Sequence, residues 1–403
     1  ETLGAASVIC TDKTGTLTEN KMTATRIWTP DQLFQVTGTG YDPAGHIEAD
    51  DGKRVRARDD AHLAQILKIA ATCTHARLVR GQKDWAMTGS PTEGALLALA
   101  FKGWQSRATD GDIISEIPFD SDRKRMSVLS RAIEGYEILM KGAPEAVLSV
   151  STNIRTAEGN QPLGESNHNS IREAYEEMAA DGLRVIAFAA RKTPEQNITE
   201  SGMTFLGLVG LIDPPRPEVR DAIKSARSAS IRVLMITGDS PVTARAIAAQ
   251  VGLDADTVVT GKSLDEQDDA GLRELLKTDV ILARTRPADT MRVVSTLQAQ
   301  NQIVAMTGDG VNDAPALKQA DIGIAMGIRG TDVAREAADL VLLDDNFATI
   351  VGAIGEGRRQ FSNIRKFVRY LLSSNAGEIV ALVVNIAIGG PLIFLATQIL
   401  WMN

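Results

Sequence analysis

Residues 6–18 read Ala-Ser-Val-Ile-Cys-Thr-Asp-Lys-Thr-Gly-Thr-Leu-Thr, an apolar run that ends directly in a polar loop. A short apolar run bounded by a turn signal is typical of a buried strand in a parallel sheet. Cys10 lies within this run and is expected to be a buried thiol without a metal-binding role. The stretch therefore predicts a strand that places Asp12 in the loop at its carboxyl end.

Later apolar runs have the same character. They span residues 231–236, 280–283, 303–306 and 340–343, and helical patterns over residues 241–251 and 288–299 lie between them. Strands that alternate with helices predict an α/β fold with a doubly wound parallel sheet. Two of the runs lead into Thr237-Gly238-Asp239 and Thr307-Gly308-Asp309. Because ligands bind beyond the carboxyl ends of such strands, we expect one acidic site built from three distant segments.

The pattern changes between Lys21 and Asp213 to short strands and helices, with a glycine-rich stretch over residues 37–45. An insertion of this size is expected to be a domain in its own right. Prolines after Asp213 fix a stiff connection back to the sheet. We predict one domain over residues 1–21 and 214–350, an inserted α+β domain over 22–213, and a further region over 351–403.

Composition limits the possible partners. The 403 residues are 44% hydrophobic and 23% charged, which is typical of a folded protein, and the net charge of −8 argues against nucleic acid as a general partner. The chain opens on Glu1 without an initiator methionine or signal peptide, so we expect it to begin within a longer protein.

The carboxyl-terminal region predicts an integral membrane protein. Residues 370–388 form an apolar stretch of roughly the length that a membrane-spanning helix needs, and a second apolar segment over 392–401 looks cut. Basic residues precede the first span and place its start, and with it the catalytic domains, in the cytoplasm; they are Arg358, Arg359, Arg365, Lys366 and Arg369. Asn375 and Glu378 share one face of this span, where an ionisable residue is expected to be functional.

The strand-end residues suit phosphoryl transfer from ATP. A carboxylate nucleophile needs Mg²⁺ and a nearby cation to neutralise the phosphate charges. Asp12 supplies the nucleophile, and Asp309 would hold the Mg²⁺ with it. Thr237 and Gly238 offer a hydroxyl and a backbone N–H to the phosphoryl oxygens, and Arg292 could neutralise their charge. Each motif alone has the composition of an ordinary turn.

Two motifs together are far more specific. Asp-Lys-Thr-Gly-Thr-Leu-Thr (12–18) and Thr-Gly-Asp-Gly-Val-Asn-Asp-Ala-Pro-Ala-Leu (307–317), each after an apolar strand, closely resemble the P-type ATPases, and the resemblance runs the length of the chain. It implies a haloacid-dehalogenase-like fold and a chain that runs from just before the phosphorylation motif to the start of the sixth membrane helix. Residues 1–21 and 214–350 would be the phosphorylation domain, 22–213 the nucleotide-binding domain, and 351–403 the stalk and transmembrane helices. The catalytic residues that it implies are Asp12, Lys13, Thr14, Thr237, Gly238, Asp239, Arg292, Asn312 and Asp313, with Mg²⁺ at Asp12, Thr14 and Asp309.

The resemblance also bears on how long the phosphoenzyme persists. Hydrolytic members of this fold usually carry a second acid two residues after the nucleophile, where this chain has Thr14. Without that acid there is no built-in general base, so a phosphoenzyme would persist long enough to be coupled to a conformational change. Thr14 therefore argues against a soluble phosphohydrolase.

Residues 119–124 and 141–145 resemble the ATP pocket of that family. The resemblance implies that Phe119 stacks on adenine, that Lys141 lies beside it and that Lys124 is near the phosphates. Further nucleotide contacts would come from Glu93, Arg184 and Arg284. Without the family, Phe119 would more often be a core residue, and Lys124 and Arg184 solvated surface. For Asp239 and Arg284 the alternative is a structural salt bridge.

The membrane segments, residues 373–378 and 398–403, resemble the calcium pumps of the reticulum and plasma-membrane type. The matching cation ligands would be Asn375, Glu378 and Asn403, and oxygen ligands of this kind suit Ca²⁺. A helix-packing hydrogen bond is the alternative for Asn375. Na⁺, K⁺ and H⁺ stay open as the transported cation.

The sequence thus predicts ATP-driven cation transport through an aspartyl phosphate, with ATP as substrate, Mg²⁺ as cofactor and the lipid bilayer as surroundings. The actuator domain and the remaining membrane helices would belong to the full-length pump, which we place in a bacterial plasma membrane. The membrane span argues against a soluble haloacid-dehalogenase-like phosphohydrolase. Asp12 and Asp309 argue against a nucleotide-binding regulatory module, since such a module needs no nucleophile.

Overall fold

A computed structural model describes residues 2–81, 85–104, 113–253 and 257–389, so that Asn403 and the apolar segment over 392–401 lie outside the described residues. The strands are β1 Val8–Asp12, β2 Thr23–Trp28, β3 Leu33–Val36, β4 Ile47–Ala49, β5 Arg54–Val55, β6 Arg77–Arg80, β7 Trp85–Thr88, β8 Ile113–Asp120, β9 Arg125–Arg131, β10 Tyr136–Gly142, β11 Ser151–Thr156, β12 Gly159–Pro162, β13 Arg184–Thr193, β14 Met203–Ile212, β15 Arg232–Thr237, β16 Thr257–Thr260, β17 Val280–Ala283, β18 Val304–Gly308, β19 Ile322–Met326 and β20 Leu340–Leu342.

The helices are α1 Thr2–Ala5, α2 Ala61–Thr72, α3 Pro91–Trp104, α4 Pro144–Leu148, α5 Glu165–Ala180, α6 Val219–Ser228, α7 Pro241–Val251, α8 Gly261–Asp265, α9 Asp269–Leu275, α10 Pro287–Ala299, α11 Ala314–Gln319, α12 Asp332–Ala337 and α13 Phe347–Ala387. A kinked helical segment covers Lys13–Leu17, and a single 3₁₀ turn covers Ala57–Asp59. The chain forms two compact units. The first unit is Glu1–Cys10, Asp221–Val233 and Thr290–Asn403, and the second unit is Thr11–Arg220 and Leu234–Asp289.

The first unit contains one part of a parallel sheet, in the order β15-β1-β18-β19-β20. The N–H groups of Ser7 and Val8 donate to the C=O of Ile303 at 3.0 and 3.2 Å, and the N–H of Arg232 donates to the C=O of Ser7 at 3.0 Å. These bonds place the start of β1 between β15 and β18. Since Val8, Ile9 and Cys10 are fully buried, the run that opens the sequence is a core strand, as predicted.

The second unit holds the end of β15, which pairs in parallel with β17, and β17 pairs in parallel with β16. The predicted strand over 280–283 and helix over 241–251 have the bounds of β17 and α7. Helix α7 begins after Ser240, whose side chain accepts from the N–H of Thr243, and ends at Gly252 with φ +78°, a backbone conformation that glycine adopts without strain.

The run over 340–343 differs from its prediction as a buried strand. It forms β20, which is the last strand of the sheet, and Leu343 just after it is 85% exposed. An edge strand has a neighbour on one side only, so its apolar side chains are not enclosed as those of a central strand are.

The second unit also contains a large, mainly antiparallel sheet, in the order β5-β4-β3-β2-β14-β13-β10-β9-β8. Strand β11 pairs in parallel with β14, and β12 pairs with β11. Every residue of β14 is buried, as expected for a central strand covered on both faces. Helices α2 and α3 contribute side chains to the core of this sheet, among them Ile66, Leu67, Leu96 and Leu99. The α+β character predicted for the insertion is therefore present.

Helix α13 is 41 residues long and contains both the basic cluster and the apolar stretch that the sequence suggested. Among the described residues it is the helix long and apolar enough to cross a membrane. Its apolar side chains at Ile379, Val383 and Ile386 are exposed, so it does not have the burial of a core helix in a water-soluble domain.

Helix α13 is fastened to the beginning of the chain within the first unit. The guanidinium of Arg358 donates to the C=O groups of Gly4, Ala6 and Ala229 at 3.1, 3.2 and 2.6 Å. A Cβ added to Gly4 would lie 2.7 Å from the carbonyl carbon of Gly357, so the two backbones touch at this point. Helix α13 is thereby joined to the segments that lead into β1 and β15.

Candidate functional site

The Asp12 loop, residues 12–18, is closed by its own hydrogen bonds. The Oδ1 of Asp12 accepts from the N–H of Lys13 at 2.7 Å. The N–H of Thr18 donates to the C=O of Lys13 at 3.2 Å, and the hydroxyl oxygen of Thr18 accepts from the N–H of Gly15 at 3.3 Å. Gly15 has φ +73°, which the reversal of the chain requires and which other residues adopt only with strain. The loop thus holds the Asp12 carboxylate at the end of β1.

The ammonium group of Lys13 is buried between two carboxylates. Its Nζ lies 2.8 Å from Oδ2 of Asp239 and 3.9 Å from Oδ2 of Asp213. Asp213 also accepts from the hydroxyl of Thr18 at 2.5 Å and the N–H of Lys21 at 3.1 Å. The structure thus brings Lys13 and Asp239 together, and the salt bridge considered for Asp239 is present. From the sequence, Asp213 was identified only as the start of the connection back to the sheet and not as a partner of Lys13. The feature that could have identified it is a carboxylate next to the prolines of that connection.

The end of β15 is tied to the end of β17. The C=O of Thr237 accepts from the N–H and hydroxyl of Thr285, both at 3.1 Å, and the Thr237 hydroxyl accepts from the N–H of Asp239 at 3.1 Å. Arg284 has φ +50° and donates its N–H to the C=O of Asp239 at 2.9 Å, while its side chain is exposed. Beside Gly238 an added Cβ would find nothing within 4 Å, so this backbone is open to a ligand.

The Asp309 loop in the first unit is organised by Asp313. The Oδ2 of Asp313 accepts from the N–H groups of Asp309 and Gly310 at 3.2 and 2.9 Å. A Cβ on Gly308 would lie 2.4 Å from the Cβ of Asp313, so glycine is needed there to make room for that side chain. Asn312 is exposed in the turn before α11.

The carboxylates of this loop are electrostatically destabilised. Burial, reinforced by the neighbouring Asp313, raises the pKa of Asp309 to about 6, and burial also raises the pKa of Asp313. A bound cation would relieve both effects, so the donor set fits a hard divalent metal ion. Arg292 lies on α10 of the same unit and is half-buried, and its C=O accepts from the hydroxyl of Thr296 at 2.7 Å.

Helix α3 links three of the predicted nucleotide residues in the second unit. Glu93, in its first turn, accepts from Lys141 Nζ at 2.8 Å and from the N–H of His75 at 3.0 Å. The preceding residue, Thr92, accepts from Nη1 of Arg184 at 3.0 Å. Lys141 is buried and Arg184 is exposed. The Lys141 ammonium is thus held in one place by a half-buried carboxylate.

Phe119 and Lys124 lie near the turn between β8 and β9. The ring of Phe119 is 61% exposed, so the alternative of a core phenylalanine is wrong. The side chain of Lys124 is 56% exposed, and its Nζ lies 3.4 Å from Oε1 of Glu145. Both side chains are accessible to a ligand from solvent.

A cavity of about 440 Å³ in the second unit connects the two sets of residues. The cavity is lined on one side by Lys13 and its carboxylate partners, Asp213 and Asp239. On the other side it is lined by two residues near the predicted nucleotide pocket, Glu145 and Arg184. Its volume is within the range typical of small-molecule sites. Of the predicted cation ligands, Asn375 is exposed and Glu378 half-buried on α13, and Asn403 lies outside the described residues.

Comparisons with known proteins give the family. Residues 62–218 match the family described as P-type ATPase, cytoplasmic domain N. Over its full length the chain is 44% identical to the calcium-transporting ATPase of Bacillus subtilis strain 168. The chain belongs to the P-type ATPases. Two further relatives of this family are each 39% identical over the whole chain: calcium-transporting ATPase 4, endoplasmic reticulum-type, of Arabidopsis thaliana and the endoplasmic reticulum calcium ATPase srcA of Aspergillus fumigatus.

The P-type ATPase match confirms the predicted family and, with the structure, the α/β fold that carries an inserted domain. The chain spans 46%, 43% and 47% of the length of these three relatives, slightly less than half of each. The domain boundaries and the roles of individual site residues stay predictions.

Proposed function

We propose that the chain is the energy-transducing part of an ATP-driven cation pump and that Asp12 receives the γ-phosphoryl group of ATP. The observation that carries this proposal is the position of Asp12, at the end of a buried strand and directly before a lysine held between two carboxylates. The relatives named as calcium-transporting ATPases support the same function.

In the proposed reaction, a carboxylate oxygen of Asp12 attacks the γ-phosphorus. The bond from that phosphorus to the oxygen bridging to the β-phosphate breaks, and ADP leaves with the electron pair. Lys13 would offset negative charge on the transferred group, and Thr237 and Gly238 would donate to its oxygens. Because Thr14 cannot act as a general base towards water, the acyl phosphate would be long-lived.

Mg²⁺ fits the acidic residues of the sheet edge. Neighbouring strands of a doubly wound sheet deliver their loops to one edge, and β1 is adjacent to β18 at its start. We therefore propose that Asp12 and Asp309 hold the Mg²⁺, with Thr14 completing the set. Bound there, Mg²⁺ would neutralise charge on the phosphates. Asn312 and Arg292 would act at the border of this site.

ATP would lie in the second unit with its adenine on the exposed ring of Phe119 and beside the Lys141–Glu93 pair. Lys124 and Arg184 supply positive charge towards the phosphates, and Arg284 a further contact. The cavity that runs from Arg184 to Lys13 supports this course of the triphosphate.

For the transport step we propose Ca²⁺, with Asn375, Glu378 and Asn403 among its ligands, and the catalytic units on the cytoplasmic side of a bacterial plasma membrane. Three relatives named for calcium favour Ca²⁺ over Na⁺, K⁺ or H⁺. The exposed apolar surface of α13 favours a pump over a soluble phosphohydrolase. The actuator domain and further membrane helices are proposed partners.

The proposal is tested by incubating the chain with γ-labelled ATP and Mg²⁺ and quenching with acid. We expect label that is stable in acid and released by hydroxylamine, that requires Mg²⁺ and that is absent from Asp12→Asn. Thr18→Ser, which keeps the hydroxyl bonded to Asp213, is the control and should keep its label. Label that persists in Asp12→Asn would contradict the proposal. In the full-length pump, stimulation by Na⁺ but not by Ca²⁺ would contradict the cation assignment.

A further inference from the structure

Asp345 is a buried acid that the proposed reaction does not use. It follows β20, is 2% exposed and has φ +51°, an unusual conformation for a residue other than glycine. Its two carboxylate oxygens accept from consecutive N–H groups, Oδ1 from Ile328 and Oδ2 from Arg329, both at 3.0 Å. A buried carboxylate without hydrogen-bond partners is destabilising, so these two hydrogen bonds are needed to keep Asp345 in its buried position.

The segment that Asp345 binds is the 327–331 loop, which leaves the end of β19. Gly327 donates its N–H to the C=O of Leu342 at 2.8 Å, which ties the loop to β20. At Gly330 the loop folds back so closely that an added Cβ would lie 1.9 Å from the C=O of Met326. The path of the loop is therefore fixed at Gly327, at the N–H groups of Ile328 and Arg329, and at Gly330.

The far end of the 327–331 loop reaches the Asp309 loop. The N–H of Thr331 donates to the C=O of Asp309 at 2.9 Å, while its hydroxyl accepts from the N–H of Ala334 and begins α12. Burial and the negative charges of Asp313 and Asp345 raise the pKa of Asp309, and the nearby positive charge of Arg329 lowers it. Asp345 is thus linked to Asp309 through one short loop, within the first unit.

We propose that Asp345 is a positioning residue for the Asp309 site: it fixes the 327–331 loop, and that loop fixes the Asp309 backbone through Thr331. The inference rests on the proposed function, in which Asp309 holds Mg²⁺. Substitution of groups that orient metal ligands in this indirect way typically costs about tenfold or more in metal affinity or activity.

Asp345→Asn tests the first link, because an amide oxygen can still accept one N–H but the amide nitrogen cannot accept the other. In the full chain we expect the Mg²⁺ concentration for half-maximal phosphorylation to rise about tenfold or more, with phosphorylation recovered at saturating Mg²⁺. Asp344→Asn is the matched control. Asp344 is the neighbouring acid, accepts from Asn346 and Thr349 at the start of α13, and should leave the Mg²⁺ dependence unchanged.

A pair of variants at Thr331 tests the second link, and it keeps the inference testable if Asp345→Asn does not fold. Thr331 has φ −66°, a value that proline adopts, and Thr331→Pro both removes the N–H donated to Asp309 and places its ring against the C=O of Asp309, which must then move. Thr331→Ala loses the same helix-capping hydroxyl but keeps that N–H. We expect the Mg²⁺ dependence to shift in Thr331→Pro and not in Thr331→Ala.

Hydrogen–deuterium exchange of the metal-free chain separates this inference from the proposed function. Exchange over residues 308–313 should accelerate in Asp345→Asn and Thr331→Pro, at a melting temperature close to that of their controls. Faster exchange confined to residues 327–331, or an unchanged Mg²⁺ dependence in a chain that is phosphorylated, would overturn the positioning role. If the wild-type chain were not phosphorylated at all, the proposed function would fail, and the exchange data alone would decide the link from Asp345 to Asp309.

Discussion

Two lysine sites in the second unit differ in how firmly they are held. Lys13, beside the proposed nucleophile, is buried and within 4 Å of two carboxylates, whereas Lys124, in the proposed ATP pocket, is exposed and touches Glu145 only at 3.4 Å. Buried charges are held by specific partners, and exposed pairs contribute little to stability. Lys13, next to the proposed bond-forming step, is therefore fixed before ATP would bind, whereas Lys124 is free to adapt its side chain to the nucleotide.

Lys13→Met tests this contrast where we expect the largest effect on stability. The substitution leaves Asp213 and Asp239 without their cation, so we expect the free energy of unfolding to fall by about 3 kcal/mol, as when one partner of a buried pair is removed. Denaturant titration followed by circular dichroism measures the change. Lys277→Met, which removes an exposed lysine paired with Glu274, is the control. Equal losses in the two variants would mean that burial of the Lys13 pair has no energetic consequence.

Lys102 sharpens the comparison, because it is a buried lysine that donates to a carbonyl, the C=O of Gly38 at 2.9 Å. Burial lowers the pKa of Lys102 from 10.5 to about 8. Between pH 8 and pH 10.5 the unfolded chain then binds more protons than the folded chain, so this lysine makes the stability rise with pH, by up to about 3 kcal/mol.

The measurement is the unfolding free energy of wild type minus that of Lys102→Met, as a function of pH. The difference should increase from pH 8 upwards, because other titrating groups cancel between the two proteins. A difference that stays flat over this range would show that Lys102 keeps an ordinary pKa in the folded protein.

Phe119→Ala tests the exposed residues of the proposed ATP pocket and should have the smallest effect on stability. The ring is exposed, so the melting temperature should hardly change, while ATP affinity should fall roughly tenfold if the ring stacks on adenine. Isothermal titration calorimetry with ATP measures this. Ile113→Ala, at the other end of β8 and also exposed, should bind ATP as wild type does. A large fall in melting temperature for Phe119→Ala would instead indicate a structural role.

The sheet could be predicted from the sequence because its central strands are short apolar runs between turn signals. Strands β1, β15, β17 and β18 and helices α7 and α10 lie where those patterns placed them. The exposed position of β20 was not predictable in this way. A strand at a sheet edge has the same apolar composition as a central one, and only the strand order distinguishes them.

The site was predictable to the extent that its residues lie at strand ends. Asp12 is the last residue of its strand, Asp239 and Asp309 follow theirs, and their motifs are specific. The partnership of Asp213 with Lys13 and the hydrogen bonds of Asp345 were not predicted, because both join segments far apart in the chain through side-chain geometry. Patterns along one chain contain periodicity and turn chemistry, but not these distances.

The three hydrogen bonds of Arg358 and the contact between Gly4 and Gly357 fix α13 at one point, so that a rotation at this point moves the rest of the helix. From Gly357 to Ala387 the helix extends about 45 Å, at about 1.5 Å per residue. A tilt of about 5° at the clamped end would therefore displace the far end by about 4 Å, which exceeds the length of a metal–oxygen bond. At Glu378, a proposed cation ligand about 32 Å along the helix from Gly357, the same tilt would give a displacement of about 3 Å, so that a small rotation at the Arg358 contacts would change the distance from this side chain to a bound cation.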